Sequence, residues 1–281
     1  MMKGIDLHVH SLCSDGTYTP SELVKYALEK QLKAFALTDH DTVDGVQEAF
    51  DAAMGTGLTV VPGVELSTEY EGKDIHILGL YIQIDSQPFL EHLDTFKNSR
   101  IHRNEKMCQK LQDAGIPITV EALKELCPNA TITRSHYAAF LLEHGFVSSR
   151  KEAFERYIGE NCPYFVPREK VSPFQAIHLI KAAGGIPILA HPPLYHMGKE
   201  RLELLVKTLT ERGLMGLEAI YSTYTAAQTK EMKELAKKYN LAISGGSDFH
   251  GANKPGLDLK TGYGSLFVPE SILEQLQSLL S

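Results

Sequence analysis

Seven short apolar runs punctuate this chain, and five of them deliver a histidine, aspartate or glutamate at or just beyond their carboxyl ends. The run at 4–9 leads through His8 and His10, the run at 34–38 enters Asp39-His40, and the run at 59–67 carries Glu65. Further on, 186–190 ends on His191, and 241–245 enters Ser247-Asp248-Phe249-His250. Side chains alternate along a strand, so His8 and His10 share a face. A fold that brings so many strand ends to one place is an α/β barrel, whose functional groups gather at the carboxyl face. A doubly wound sheet would take its ligands from one or two loops at a switch point. The runs at 74–81 and 216–220 complete the set; His76, flanked by isoleucines within its run, fits less neatly and alone reads as a buried core histidine.

Helix signals fill the intervals. Thr19-Pro20-Ser21-Glu22 and Ser172-Pro173-Phe174-Gln175 read as capping boxes with proline at the first helical position. Further helical patterns cover 45–54, 199–212, 225–239 and 271–280. Between 89 and 171 the strand–helix rhythm stops. That section carries helical periodicities at 90–114, 120–126, 135–144 and 151–158, broken at Gly115, Pro117 and Pro128, with no convincing strand. We therefore expect one barrel built from residues 1–88 and 172–281, with a helical insertion at 89–171 forming a substrate-binding cap over its open end.

Composition narrows the chemistry. With 281 residues and 43% hydrophobic content the chain can bury a full core. No stretch approaches the roughly 20 apolar residues of a membrane span, and the start, Met-Met-Lys-Gly-Ile, lacks the apolar region of a signal peptide, so a cytoplasmic protein with no membrane partner is expected. Cys13, Cys108, Cys127 and Cys162 form no Cys-x-x-Cys pair, which argues against a thiolate zinc site or a disulfide framework. The formal net charge of −7 gives no broad basic path for long nucleic acid, so anionic ligands must be short and held by local cations or metals.

His8-x-His10, Asp15-Gly16, Thr38-Asp39-His40-Asp41, Gly63-Val64-Glu65, His76, Ala190-His191-Pro192 and Ser247-Asp248-x-His250 together resemble the polymerase-and-histidinol-phosphatase (PHP) superfamily over almost the whole chain. Thr133-Arg134-Ser135-His136 and Tyr164-Phe165-Val166-Pro167 further resemble its stand-alone members that hydrolyse nucleotide 3′,5′-bisphosphates and short 5′-phosphorylated RNA. The resemblance implies a distorted seven-stranded barrel holding three divalent metals. By it, His8, His10, Glu65 and Asp248 surround one metal; Glu65, His76 and His191 a second; and Asp15, His40 and His250 a third. Imidazoles and carboxylates without thiolates suit manganese, with iron or zinc as alternatives.

The reaction expected is in-line hydrolysis of a phosphate ester by a metal-bridging hydroxide held by Glu65, His191 and Asp248. Ser247 and Cys13 are then dispensable for chemistry, and His196 is a candidate general acid. Arg134 and Ser135 stand at a helix start, where a guanidinium, a hydroxyl and free backbone N–H groups suit an anion. A cation there is disfavoured by about 0.3–1 kcal/mol, which points to a job such as holding a second phosphate. Lys170 and Arg168 are further candidates, whereas Arg100 and Arg103 read as decorating a helix face or positioning the insertion. Two positions depart from the family pattern: Pro193-Leu194 stands where a glycine and an arginine are expected, and Tyr224 where a histidine is, so base or sugar recognition is expected to differ. The alternatives are a phosphatase of another small monoester such as histidinol phosphate and a non-catalytic metal-binding regulatory module. The completeness of the ligand set argues against the second.

Overall fold

The computed structural model describes residues 4–126, 131–167 and 171–280. Its first half follows β1 (Gly4–Val9), α1 (Pro20–Glu29), β2 (Ala34–Leu37), α2 (Val46–Ala53), β3 (Thr59–Tyr70) and β4 (Lys73–Leu80). Helices then follow as α3 (Gln87–Asp113), α4 (Val120–Leu126), α5 (Arg134–Glu143) and α6 (Arg150–Ala153). The remainder alternates α7 (Pro173–Ala182), β5 (Ile186–Leu189), α8 (Lys199–Glu211), β6 (Gly216–Tyr221), α9 (Ala226–Lys238) and β7 (Ala242–Gly246), and ends in β8 (Val268–Pro269) and α10 (Ser271–Gln277). Thr19 and Ser172 cap α1 and α7 as reciprocal boxes, because each N-cap hydroxyl accepts an N–H three residues on while Glu22 or Gln175 reaches back. The helix expected over 151–158 is a short α-helix that widens into a π-turn at Phe154–Ile158.

One mixed eight-stranded sheet runs in the order β7-β6-β5-β4-β3-β2-β1-β8 and nearly closes on itself. Beyond β7 the chain lies along the free edge of β1, where His10 N–H donates to Phe249 O at 2.9 Å and Asp248 N–H to His8 O at 2.8 Å. The seam is so tight that a Cβ on Gly246 would stand 2.5 Å from the backbone nitrogen of His8, so only glycine fits there. The sheet has eight strands where seven were expected; β8 pairs antiparallel with Gly4 and Ile5 and, at two residues, is too short to show an apolar run.

A second difference explains His76. β4 is antiparallel to both β3 and β5, joined to β3 by a tight turn in which Glu71 and Gly72 both have positive φ. Its amino-terminal half therefore stands at the same rim as the carboxyl ends of the parallel strands. His76 pairs with Ser67 there and faces the site although it lies early in its strand.

Three apolar clusters hold the molecule together. One gathers Ile5, Leu7, Ala36, Val61, Leu78 and Ile188 from the sheet with Ile272, Leu273 and Leu276 of α10. A larger one joins the sheet to its surrounding helices, with Phe35, Leu37, Leu23, Ile180 and Leu205 among its members. The third, including Met107, Leu111, Leu123, Tyr137 and Leu141, belongs to α3, α4 and α5 and the turn after α6. Among the described residues no helix is long and apolar enough to cross a membrane.

Candidate metal centre

All nine sequence-selected ligand candidates converge on the carboxyl rim of the sheet. Glu65, on β3, is the hub. Its Oε2 lies 3.3, 3.2 and 3.2 Å from nitrogens of His8, His10 and His40, and its Oε1 lies 2.8 and 3.0 Å from those of His76 and His191. Asp248 Oδ1 stands 3.5, 3.3 and 3.3 Å from His8, His10 and His250, and Asp15 Oδ1 stands 3.1 Å from His250 Nε2. The ligand atoms form overlapping groups within 4.8 Å: His10, Asp15, His40 and His250; His8, Glu65 and His191; His8, His10 and Asp248; His40, Glu65 and His76.

Local backbone geometry is bent to this end. Asp41, His191 and Asp248 adopt left-handed conformations, with φ of 52°, 32° and 57°. Such conformations cost about 1–3 kcal/mol each for side chains of this kind and persist where surrounding structure imposes them. In the turn after β1, a Cβ on Gly16 would lie 2.3 Å from His10 O, so the hairpin that returns Asp15 to the cluster admits no side chain at that point.

The donor set fits divalent cations. His8 Nε2, His10 Nε2, His40 Nδ1 and Asp15 Oδ1 are buried, face the shared space and have no hydrogen-bond partner among the described residues. Unpaired buried polar atoms are costly, and lone pairs converging in this way are what a cation would satisfy. The electrostatics agree. Burial pushes the Asp15 carboxyl up, but His250 and His40 outweigh it and hold the group well below its usual range. Burial likewise opposes ionisation of Glu65 and Asp248, yet His40 and His76 around Glu65, and Lys254 and His8 beside Asp248, keep both carboxyls depressed. Burial lowers His40 to about 3, whereas His10, despite its burial, rises to about 9 between Asp248 and Glu65. Protons and cations compete for these lone pairs, so binding releases protons.

The cluster opens into a cleft of about 140 Å³ whose far wall is made by α3, α5 and the segment after α6. Asp15, His40 and His76 line one side, and Arg100, Arg103, Arg134, Phe154 and Phe165 the other. Thr133 caps α5 and donates its hydroxyl to Asp15 Oδ2 at 3.1 Å, tying this wall to the ligand cluster. Arg134 does reach the cleft, but its fork is already engaged: Nη2 donates to Asp74 Oδ2 at 2.8 Å, and the guanidinium lies over Phe165. Ser135 also lines the cleft.

Several expectations change. Arg100 and Arg103 are buried in the cleft wall and do not decorate a helix face, and Arg100, bonded to Asp41 and to Ser67 Oγ at 3.0 Å, ties α3 to the sheet side in keeping with the alternative of positioning the insertion. His196 is exposed at the end of a short turn after His191 and does not line this cleft. Leu194 is also exposed, the Tyr224 ring lies tilted against Tyr221 with centroids 5.1 Å apart, and neither side chain lines this cleft. Lys170 and Arg168 lie outside the described residues. The residues missed are supporting ones: Glu218, Tyr221 and Lys254, and Asp41 as the partner of Arg100. A lone glutamate within Gly216-Leu-Glu-Ala-Ile220 was the available signal for the first.

A family model described as the PHP domain matches residues 6–157. The chain belongs to the PHP family. A 5′-3′ exoribonuclease of Haemophilus influenzae is 39% identical over 250 residues, covering 89% of this PHP chain and 91% of that protein. A 3′,5′-nucleoside bisphosphate phosphatase of Chromobacterium violaceum is 32% identical, with 92% and 91% covered. The solved structure of an amidohydrolase from Chromobacterium violaceum, with bound sulfate and no metal, superposes on this PHP chain with a TM-score of 0.87 at 31% identity, covering 98% of this chain and 96% of that one.

Proposed function

We propose that this chain, a metal-dependent phosphoesterase, acts on nucleotide 3′,5′-bisphosphates or short 5′-phosphorylated RNA. The observation that carries the reading is the two-sided cleft: a ring of imidazoles and carboxylates on one side, and the guanidinium groups of Arg100, Arg103 and Arg134 on the other. A monoester needs one anion site, whereas this cleft offers two of different kind. The activities named for the exoribonuclease and bisphosphate phosphatase relatives support the same substrate class.

His8, His10, Asp15, His40, Glu65, His76, His191, Asp248 and His250 would hold the ions, three in number and manganese by preference. When bound, they would supply Lewis-acid activation of water and neutralise charge on the scissile phosphate. The chain's own residues do the rest. Arg134, with Ser135 at the amino end of α5, holds the second phosphate and so fixes which ester faces the ligand cluster. Thr133 spends its hydroxyl proton on Asp15 and Ser67 accepts from Arg100, so these side chains hold the two walls in register. Phe154 and Phe165 give the cleft apolar surface on the arginine side. In this reading residues 89–171 act as a substrate-binding cap on the barrel formed by 1–88 and 172–281.

The test is product formation with manganese present, reading phosphate release from adenosine 3′,5′-bisphosphate, AMP and histidinol phosphate and nucleoside monophosphate release from a short 5′-phosphorylated RNA. Preference for the bisphosphate with AMP accumulating is expected. Preference for histidinol phosphate would replace the two-anion reading with a monoesterase.

A further inference from the structure

We propose that β6, which contributes none of the nine ligand candidates, is the brace of the centre, with Glu218 as the positioning residue that sets which ring nitrogen of His8 faces the metal-holding space. The inference rests on the metal reading above and adds a role for a residue outside the ligand set. Glu218 is fully buried. Its Oε1 lies 3.0 Å from His8 Nδ1, and its Oε2 accepts the backbone N–H of His191 at 2.8 Å. One carboxylate thus ties together ligand candidates carried by β1 and by the turn after β5, strands that are not neighbours in the sheet.

The consequence is chemical as well as mechanical. An ionised carboxylate only accepts, so the proton of a neutral His8 ring must sit on Nδ1. Its Nε2 lone pair is then left facing Glu65 Oε2 and Asp248 Oδ1, and that atom has no hydrogen-bond partner among the described residues. A carboxylate behind a ligating imidazole fixes the ring's orientation and raises its basicity. The same strand supplies a second strut: Tyr221 donates its hydroxyl to Asp248 Oδ2 at 2.5 Å, which leaves Oδ1 turned toward His8 and His10. A purely apolar residue at 218 would fill the space and would hold neither the His8 ring nor the His191 backbone.

The experiment reads metal binding and tautomer, independent of turnover. In zinc-loaded wild type with 15N-labelled histidine, His8 should give the resonances of a ring that keeps its proton on Nδ1 and is ligated through Nε2. Glu218→Gln keeps the shape, but its amide oxygen can serve only one of the two donors. Manganese titration of this variant by calorimetry should show affinity weakened about 10–100-fold for the ions that use His8, with a circular dichroism spectrum like that of wild type. Tyr221→Phe should weaken binding in the same direction by less. A lower melting temperature with unaltered manganese affinity would assign Glu218 a structural role only and overturn the proposal. Should Glu218→Gln fail to fold, the zinc-loaded wild-type spectrum still decides, because a His8 ring ligated through Nδ1 with its proton on Nε2 is incompatible with the brace. A wild type that binds no divalent ion sinks the metal reading and this proposal together, whereas a metal-binding wild type with an indifferent Glu218→Gln sinks this proposal alone.

Discussion

The two walls of the cleft are built in different ways. On the sheet side, His8, Glu65 and His76 lie within strands and the other ligand candidates in the turns that follow strand ends. On the helical side, Arg100, Arg103 and Arg134 are placed by the packing of α3 against α5, over a separate apolar cluster centred on Met107, Tyr137 and Leu141. The first wall is rigid because a sheet register cannot slip without turning side chains to the other face. The second depends on a smaller core and can be altered with less disturbance to the ligand cluster. In the proposed reading chemistry and substrate choice are therefore separable, the walls being joined through Thr133 on Asp15, Arg100 on Asp41 and Ser67, and Arg134 on Asp74.

The sharpest way to break this comparison is at the sheet wall. Asp248→Asn should lower kcat by roughly 10²–10³ or more for every phosphate ester alike, the loss expected when a preorganised stabiliser of developing charge is removed. Its circular dichroism spectrum should stay that of wild type; a selective loss for the bisphosphate would mean that the two walls are not separable. Next come the cores. Leu7→Ala and Leu141→Ala each remove a buried leucine and should cost about 2–5 kcal/mol in urea unfolding. Only Leu7→Ala should also weaken manganese binding, whereas Leu141→Ala should chiefly raise KM for the bisphosphate. Equal effects on metal affinity would erase the distinction.

Smaller effects sharpen it. Arg134→Ala removes a charge-assisted contact of about 1.5–3 kcal/mol, so KM for a bisphosphate should rise by one to two orders of magnitude while that for a simple monoester stays near wild type. Equal rises would sink the second-phosphate assignment. Asp74 shares Arg134 with any incoming anion. Asp74→Asn should therefore lower KM for the bisphosphate severalfold, and a higher KM would show instead that Asp74 holds the arginine in its binding pose.

The nine ligand candidates were legible because each lies in a short motif beside a strand, where two or three residues of context decide where a side chain points. His76 was legible as a residue type but not by position, since only an antiparallel β4 brings the early part of a strand to the rim. Arg134 was found from its place at the start of α5, yet its bond to Asp74, sixty residues away, was not. For Arg100 a helix-face role and a positioning role both stayed open, because a helix periodicity says which face is apolar and nothing about a buried carboxylate on another element that can receive a guanidinium.

By itself, then, the sequence determined the strand–helix order and the helical section between β4 and α7, properties carried by local pattern, and its family resemblance picked out the ligand candidates that gather at the rim. Tertiary structure decided the reversed β4, the two-residue β8 at the free edge of β1, the arginine wall, and the supports that Glu218 and Tyr221 give to His8, His191 and Asp248. The physical reason is range. A hydrogen bond such as that between His8 and Glu218 spans 210 positions of chain and exists only once the sheet has curled round to its seam. No periodicity in the chain records which buried donor will meet which acceptor.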